Sequence, residues 1–272
     1  MGISFQIGVI GCGNMAKAIL AGVLESQTVK ADQVTVFDVD QNQCIPVAKA
    51  TGISIADSIE YLCEKSDIIL LAIKPNVIPK VLGEYAAFLQ GKAIISIAAG
   101  ITFAQLKSFS NNQCRALRVM PNTPAMVGEG ATVFADNHDL KPDEIEAATE
   151  IFRAVGMVKS LSESQMDAVV AVSGSGPAYV YLFIEALADG GVREGLAREV
   201  ALELAAQTVL GSAKMVMDSH RHPGELKDMV CSPGGTTIEA VYALETNGFR
   251  GDVMNAVAHA AKKSNEMSKN NE

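Results

Sequence analysis

A short loop near residue 235 combines residue types that bind small anions. Its sequence is Cys231-Ser232-Pro233-Gly234-Gly235-Thr236-Thr237-Ile238, and an apolar helical run follows it. Glycines let backbone N–H groups turn towards a ligand, and the start of a helix adds a partial positive charge at the same point. The segment fits a small carboxylate, and it equally fits a tight turn in which Thr236 caps the helix.

A glycine-rich turn near the start of the chain has the pattern of a dinucleotide-binding unit. The strand-like run Phe5 to Ile10 leads into Gly11-Cys12-Gly13-Asn14-Met15-Ala16, and a helical stretch from Lys17 to Glu25 follows. In this G-x-G-x-x-G/A pattern, the first glycine permits the sharp turn and the second lets the pyrophosphate approach the backbone. The alanine lets the helix pack close to the strand.

An acidic residue stands where the adenosine ribose of a dinucleotide is usually bound. The second predicted strand, Val34 to Phe37, ends at Asp38, close to the offset of about twenty residues that this contact requires. A carboxylate there favours the ribose diol of NADH and repels the 2′-phosphate of NADPH. The next arginine along the chain is Arg115, so none nearby compensates. We therefore expect NADPH or NADH as the cofactor, with Asp38 favouring NADH.

The first 160 residues alternate between short apolar runs and amphipathic stretches. Further strands are predicted at Ile68 to Ala72, Ala93 to Ser96 and Ala116 to Met120, and helical crossovers between them favour a parallel sheet. The ends of two strands are candidate walls of the cofactor site, because an open α/β sheet binds its ligand there. These wall residues are Ala72, Lys74, Pro75, Ala98 and Ala99. A solvated lysine and closely packed alanines are the simpler alternatives.

After Leu161 the strand alternation stops and alanine-rich helical periodicity begins. The predicted fold class is therefore α/β: a Rossmann-type domain at residues 1–160, followed by an all-α domain at 161–272. The helix from Ala197 to Met217 has one face of small and apolar residues at spacings of three and four. They are Ala201, Leu204, Ala205, Thr208, Val209, Ser212 and Met215. Another helix of the chain or a second subunit is expected to cover that face.

Composition restricts the partners of the chain. Its 272 residues are 49% hydrophobic and carry 22 basic against 31 acidic side chains, a formal charge of −9. This balance argues against nucleic acid or an anionic membrane surface as the main partner. The longest uncharged stretch, Asp167 to Glu185, is interrupted by glycines and predicts no membrane span. The start has no signal-peptide pattern, so the expected location is the cytoplasm.

Cysteine, histidine and serine residues give no pattern of a metal site or an acyl-transfer site. The five cysteines lack C-x-x-C spacing and are typical of reduced, buried thiols. His220 and His222 have no compact set of acidic or cysteine partners, so no metal is expected. Ser173 and Ser175 lie between glycines without a matched histidine and acid, and Gly176-Pro177 indicates a helix start instead.

Several motifs together resemble those of the pyrroline-5-carboxylate reductase family along the whole chain. They are the turn at residues 11–16, Ala72-Ile73-Lys74-Pro75, Met120-Pro121-Asn122-Thr123-Pro124, Ser173-Gly174-Ser175-Gly176-Pro177-Ala178-Tyr179 and the loop at residues 232–237. The stretches His222 to Asp228 and Leu244 to Arg250 add to the match. Motifs spread over both predicted domains are more specific than a glycine turn alone.

The resemblance implies reduction of the imine carboxylate 1-pyrroline-5-carboxylate to L-proline, the last step of proline biosynthesis. A protonated imine already accepts hydride well, so the protein supplies mainly orientation and electrostatics. By similarity, Thr237 hydrogen-bonds the ring nitrogen, by positioning the iminium or by passing a proton through water. The remaining implied substrate residues are Ser232, Gly234, Gly235 and Thr236 around the carboxylate, and Asn122, Thr123, Ser175 and Gly176 along the cleft.

The resemblance also implies that the helical domain at residues 161–272 is the substrate and dimerisation domain. Homodimers of interlocked helical domains are expected to assemble further to a decamer. The family commonly uses NADPH, which conflicts with the carboxylate of Asp38. One alternative is a β-hydroxyacid dehydrogenase, but that group needs a lysine just after the domain boundary, and none occurs between Lys159 and Lys214. The other alternative is a non-catalytic nucleotide-sensing module, which has no evident need for a carboxylate-binding loop.

Overall fold

The computed structural model of the protein describes residues 3–270, without the side chain of Asn270. The chain forms two compact units. The first, here called the sheet unit, contains residues 3–175 and 259–270, and the second, the helical unit, contains residues 176–258. The boundary predicted after residue 160 falls within the last strand, Gly156–Leu161, whereas the two units divide between residues 175 and 176.

The sheet unit is built on eight strands in the order β3-β2-β1-β4-β5-β6-β7-β8. All neighbours are parallel except β6 and β7, which are antiparallel. The strands are β1 (Ile7–Ile10), β2 (Val34–Phe37), β3 (Ser54–Ile55), β4 (Ile68–Leu71), β5 (Ala93–Ser96), β6 (Arg115–Met120), β7 (Gly130–Ala135) and β8 (Gly156–Leu161). The strand order reverses direction between β1 and β4, which is where such sheets bind dinucleotides.

Helices cover both faces of this sheet. They are α1 (Asn14–Glu25), α2 (Ile45–Thr51), α3 (Ile59–Lys65), α4 (Ile78–Glu84), α5 (Phe103–Phe109), α6 (Pro142–Arg153) and α7 (Met166–Val169). Successive strand residues point to opposite faces, so Ile68 packs in one apolar core with α1 and α6, and Ile69 packs in a second core with α3, α4 and α5. Continuous apolar runs such as β4 are typical of strands buried on both faces.

The five strands predicted from the sequence are present, and three further strands were not predicted. β3 has only two residues, and β7 and β8 mix polar with apolar residues. β8 lies at the edge of the sheet and is largely exposed, so its hydrophobic pattern is weak. β7 supplies the one antiparallel pairing, because the turn Thr123–Val127 reverses the chain directly after β6.

The helical unit contains the remaining helices. They are α8 (Gly176–Arg193), α9 (Arg198–Ser219), α10 (Pro223–Val230), α11 (Thr236–Thr246) and α12 (Phe249–Asn270), the last of which enters the sheet unit at His259. α8 and α9 form an antiparallel pair around buried Ala188, Ala201 and Ala205. An ion pair between Arg198 and Asp189 lies beside this small core.

Many apolar side chains of α8 and α9 are exposed. Leu182 is 66% exposed and Leu204, on the predicted small-residue face, is 53% exposed. Ala201 and Ala205 of that face are buried, so α8 covers only part of it. The helical segments Glu163–Arg193 and Arg198–Ser219 are long and apolar enough to cross a membrane by length and composition alone, although the sequence pattern predicted no span. Exposed apolar surface of this kind marks an interaction site.

Candidate active site

The glycine turn lies at the carboxyl ends of three neighbouring strands. Gly11 follows β1 with a φ of +101°, a conformation that favours glycine. Its N–H donates to the carbonyl of Phe37 at 2.7 Å, at the end of β2. A Cβ on Gly11 would lie 2.5 Å from the carbonyl oxygen of Ala72, which follows β4. The first glycine is therefore required by packing as well as by the turn.

The second glycine and the start of α1 leave room for an anion. Gly13 has an ordinary φ of −71°, and a Cβ added there would meet nothing within 4 Å. Gly13 is the N-cap of α1 and no side chain caps the helix, so N–H groups of its first turn remain available. Buried Ala16 packs in the core below. These features fit the pyrophosphate of a dinucleotide.

Asp38 accepts two backbone hydrogen bonds, one of them from the same turn. Its Oδ2 accepts the N–H of Cys12 at 2.7 Å, and its Oδ1 accepts the N–H of Asp40 at 2.9 Å. Beyond Asp38 the loop is polar, and Lys17 of α1 donates from Nζ to Oε1 of Gln43 at 3.0 Å. Asp38 thus combines a structural role with its predicted position beside the ribose.

Two cysteine side chains are in contact beneath the turn. The Sγ of Cys44 lies 2.8 Å from the Sγ of Cys12, and both residues are fully buried. Burial is the main cause that raises the pKa of each thiol, and the nearby carboxylate of Asp38 also raises both pKa values. Both cysteines are free thiols.

The other predicted cofactor residues follow the strand ends as expected. Ala72 donates its N–H to the carbonyl of Ile10 at 2.8 Å, which keeps β4 and β1 aligned up to the turn. Lys74 is exposed and precedes the turn Pro75–Val77. After β5, Ala98 is buried and Ala99 half-buried. Asn14 is exposed and Met15 half-buried at the start of α1.

Asn122 connects β6 to two neighbouring segments. Its Nδ2 donates to the carbonyl of Ser173 at 3.0 Å, and its Oδ1 accepts the N–H of Ala131 at 2.8 Å. Asn122 is buried, so both ends of its amide serve the scaffold. Thr123, the next residue, is exposed and begins a turn that packs against α1.

The serine–glycine motif begins at the end of a π-helical segment. Val170–Gly174 forms the π-helix, and Ser173 donates its hydroxyl to the carbonyl of Val169 at 3.0 Å. A Cβ on Gly174 would lie 2.6 Å from the Cε of Met120, so this glycine permits close packing against β6. The N–H of Ser175 donates to the carbonyl of Val170 at 2.8 Å, and α8 begins at Gly176. Such π-segments often occur at functional sites.

In the helical unit, the predicted carboxylate loop is a tight turn that ends at an uncapped helix. The N–H of Gly235 donates to the carbonyl of Ser232 at 3.1 Å, and Gly234 has a φ of +66°. The N-cap of α11 is Gly235, not Thr236, and no side chain caps the helix. A Cβ on Gly235 would lie 2.2 Å from the Oγ of Ser232, so this glycine lets the Ser232 side chain pack closely against it. Thr237 is half-buried in the first turn.

A buried ionic cluster behind β6 was missed by sequence reasoning. Arg118 is 4% exposed, and its Nη1 lies 3.4 Å from Oε1 of Glu163. Glu163 also accepts the N–H of Phe103 at 2.7 Å and the Nδ2 of Asn137 at 2.6 Å. It therefore joins β6 to the start of α5. An arginine within an otherwise buried strand was the only signal that could have revealed it.

The structure gives one of the two candidate metal-binding histidines a local role. His222 caps α10, because its Nδ1 accepts the N–H of Gly224 at 3.0 Å. Within residues 3–270, no group of three or more histidine, cysteine or acidic side chains is placed to hold a metal ion.

The parallel sheet, the glycine turn at its switch point and the helical unit define a Rossmann-type nicotinamide-dependent oxidoreductase. Residues 163–267 match the family model described as pyrroline-5-carboxylate reductase dimerisation. Residues 6–100 match a model described as NADP oxidoreductase, coenzyme F420-dependent.

Relatives over the full length identify the family. The chain is 44% identical to the pyrroline-5-carboxylate reductase of Escherichia coli, covering 97% of this chain and 98% of that protein. It is also 44% identical to the Arabidopsis thaliana enzyme, covering 97% and 96%. The structure of Plasmodium falciparum pyrroline carboxylate reductase with NADP bound has a TM-score of 0.90 at 35% identity, covering 98% and 100%. The chain belongs to the pyrroline-5-carboxylate reductase family.

Proposed function

We propose that this protein reduces 1-pyrroline-5-carboxylate to L-proline with a reduced nicotinamide dinucleotide. The observation that carries the proposal is the start of α11, where a glycine turn and an uncapped helix stand directly before Thr237. Family membership supports the same reaction. Neither a hydroxyacid dehydrogenase nor a sensor module is favoured by these relatives.

The sheet unit supplies the cofactor site. The N–H groups at the start of α1 hold the pyrophosphate, and Gly13 leaves the space for it. Residues 11–16, Asp38, Ala72, Lys74, Pro75, Ala98 and Ala99 form the walls of this site. When bound, the reduced nicotinamide supplies the hydride that the imine carbon accepts.

The loop of the helical unit holds the substrate carboxylate. An α-helix has a partial positive charge of about +0.5 at its N-terminus, and α11 has eleven residues and no side-chain cap. Gly234 and Gly235 keep side chains away from the first N–H groups, and Ser232 packs against Gly235 from the side. A carboxylate bound to these N–H groups orients the imine ring without a general base.

Thr237 is the catalytic residue that contacts the ring nitrogen. A protonated imine donates from nitrogen, and the Thr237 hydroxyl accepts that hydrogen bond. This contact favours the cationic form of the ring, because a hydrogen bond to a charged group stabilises that charge. After hydride transfer the ring nitrogen is a secondary amine, and the same hydrogen bond to the Thr237 hydroxyl can form with the product.

Asn122, Ser175 and Gly176 act mainly by shaping the site and not by taking part in the chemical step. Asn122 fixes the carbonyl of Ser173 and so positions the π-segment that leads into α8. Thr123 lies exposed at the turn beside α1, where its hydroxyl is available to a ligand. We assign Asn122 as a positioning residue and Thr123 as a lining residue.

The same proposal covers cofactor preference, assembly and location. Asp38 favours NADH, whereas a relative of known structure binds NADP, so both cofactors are accepted. The exposed apolar faces of α8 and α9 pair with a second copy of the chain, as the dimerisation family model supports, and dimers assemble further to a decamer. Free, contacting thiols suit the reducing cytoplasm.

Loss of NADPH or NADH absorbance with pyrroline-5-carboxylate, together with chromatography of L-proline, tests this proposal. Thr237→Ala is expected to lower turnover roughly 10- to 100-fold. This factor corresponds to the loss of a hydrogen bond to a charged group, which contributes about 1.5–3 kcal/mol. Binding of the dinucleotide should stay unchanged. Thr246→Ala, at the other end of α11, is the matched control.

Unchanged turnover in Thr237→Ala would remove the role assigned to that hydroxyl. No proline from a folded, dinucleotide-binding wild-type enzyme would contradict the reaction itself. Turnover with a hydroxyacid instead would favour the dehydrogenase alternative.

A further inference from the structure

One thiol of the cofactor turn and one thiol directly before α2 are close enough to bond to each other. The Sγ atoms of Cys12 and Cys44 lie 2.8 Å apart, so closing a disulfide of about 2.05 Å requires an approach of about 0.8 Å. We propose that Cys12 and Cys44 form a reversible thiol–disulfide site, and that closing this disulfide weakens dinucleotide binding. No other pair of cysteines among residues 3–270 is in hydrogen-bond contact.

The oxidant is a low-molecular-weight disulfide such as glutathione disulfide. The thiolate of one cysteine attacks a sulfur of the oxidant, which forms a mixed disulfide and releases one glutathione thiol. The second cysteine attacks the protein sulfur of that intermediate, closes the Cys12–Cys44 bond and releases the second glutathione. The two cysteines lose two electrons and two protons, which leave in the two glutathione thiols.

The segment before Cys44 allows access to the buried pair. Residues 39–43 are all exposed, and their side-chain hydrogen bonds are exposed as well. The helix that follows, α2, has only seven residues. Local opening of such a segment costs less free energy than global unfolding. Because burial raises the pKa of both thiols, the attack takes place while this segment is open.

Closing the disulfide moves the part of the turn that faces the dinucleotide. Cys12 is the residue between the two glycines, and its N–H donates to Asp38. Gly11 is fixed against Ala72, so the displacement passes towards Gly13 and the first N–H groups of α1. A bound dinucleotide holds the reduced geometry and, by thermodynamic linkage, opposes oxidation to the same extent.

The experiment exposes the full-length enzyme to glutathione disulfide, with and without saturating NADPH. Free thiols are then alkylated, a digest is searched by mass spectrometry for a linked Cys12–Cys44 peptide, and the Kd for NADPH is measured by calorimetry. We expect the linked peptide, a Kd raised at least tenfold, recovery with dithiothreitol, and slower linkage when NADPH is present. The binding readout does not depend on which substrate the enzyme reduces.

Two variants separate this pair from the other cysteines. Cys44→Ala removes the second thiol and should keep its Kd after oxidation, whereas Cys63→Ala, at another buried cysteine, should respond like the wild type. Absence of the linked peptide would overturn the proposal, and so would a linked enzyme with an unchanged Kd. An equal loss of binding in Cys44→Ala would also overturn it, because other cysteines would then be responsible.

Discussion

The carboxylate of Asp38 accepts the backbone N–H of Cys12 at 2.7 Å, so the predicted ribose-binding residue also holds the turn proposed to bind the pyrophosphate. Under this proposal, one side chain affects both cofactor preference and the geometry of the turn. The second carboxylate oxygen of Asp38 accepts the N–H of Asp40, so the same side chain also holds the loop after β2.

Asp38→Ser is expected to shift preference towards NADPH. Removing a carboxylate beside the 2′-phosphate should raise the ratio of kcat/KM for NADPH over NADH by about tenfold, equal to ~1.4 kcal/mol. Affinity for NADH should fall, because the Cys12 N–H loses its acceptor. Steady-state kinetics with both cofactors measures the ratio, and an unchanged ratio would show that Asp38 does not discriminate.

Asp32→Ser is the matched control for this substitution. Asp32 lies in the turn before β2, at the opposite end of the strand from Asp38, and carries the same charge. Its loss should leave the ratio unchanged. A similar shift in both variants would assign the effect to overall charge.

Gly13→Ala should separate cofactor binding from stability. Gly13 has an ordinary φ, and a Cβ there has open space, so the midpoint of thermal unfolding should not fall. The methyl group occupies the space required by the pyrophosphate, and the Kd for NADPH should rise at least tenfold. Gly83→Ala in α4 is the control and should bind normally. Normal binding by Gly13→Ala would contradict the assigned pyrophosphate site.

Glu144→Ala should destabilise the sheet unit strongly. The buried carboxylate of Glu144 accepts Nε of Arg115 at 2.7 Å and the N–H of Lys141 at 2.9 Å, and the pair raises the pKa of Arg115. Removing one partner of such a pair costs roughly 3–5 kcal/mol. Denaturant unfolding measures this loss of free energy.

The exposed pair of Lys263 and Glu266 provides the comparison for that measurement. Its side chains are largely solvated, so Glu266→Ala should cost about 0.5 kcal/mol or less. Equal losses in the two variants would show that burial of Glu144 does not matter.

Leu204→Glu should dissociate the assembly. Leu204 lies on the small-residue face of α9 and is 53% exposed in the single chain. A carboxylate buried in a subunit interface without a partner is costly, so light scattering should detect a smaller species. Val39→Glu, at an apolar side chain 93% exposed in the sheet unit, should keep the wild-type mass. Unchanged mass in both variants would place the interface elsewhere.

The sequence predicted five of the eight strands and the glycine turn because their signals are local. β4 is a continuous apolar run, and the glycine turn stands directly between a strand and a helix. β7 was not predicted, because its residues alternate poorly and its pairing depends on a reversal at Thr123–Val127. The edge strand β8 is largely exposed and carries little pattern.

Long-range side-chain contacts could not be predicted from the sequence. Cys12 and Cys44 are 32 positions apart, and no spacing rule brings them together. The motif resemblance marked Asn122 as a cleft residue, but the hydrogen bonds of its amide to Ser173 and Ala131 could not be predicted. Motif resemblance identifies which residues matter, but their hydrogen bonds depend on how distant segments pack.

The most direct test of the proposed reaction follows the transferred hydrogen. NADPH deuterated at the transferable position of C4 is incubated with pyrroline-5-carboxylate and the enzyme, and L-proline is analysed by NMR and mass spectrometry. The proposed reduction predicts one deuterium at C5, the former imine carbon, in stoichiometric amount with the NADPH consumed. Unlabelled proline, or consumption of NADPH without proline, would contradict it.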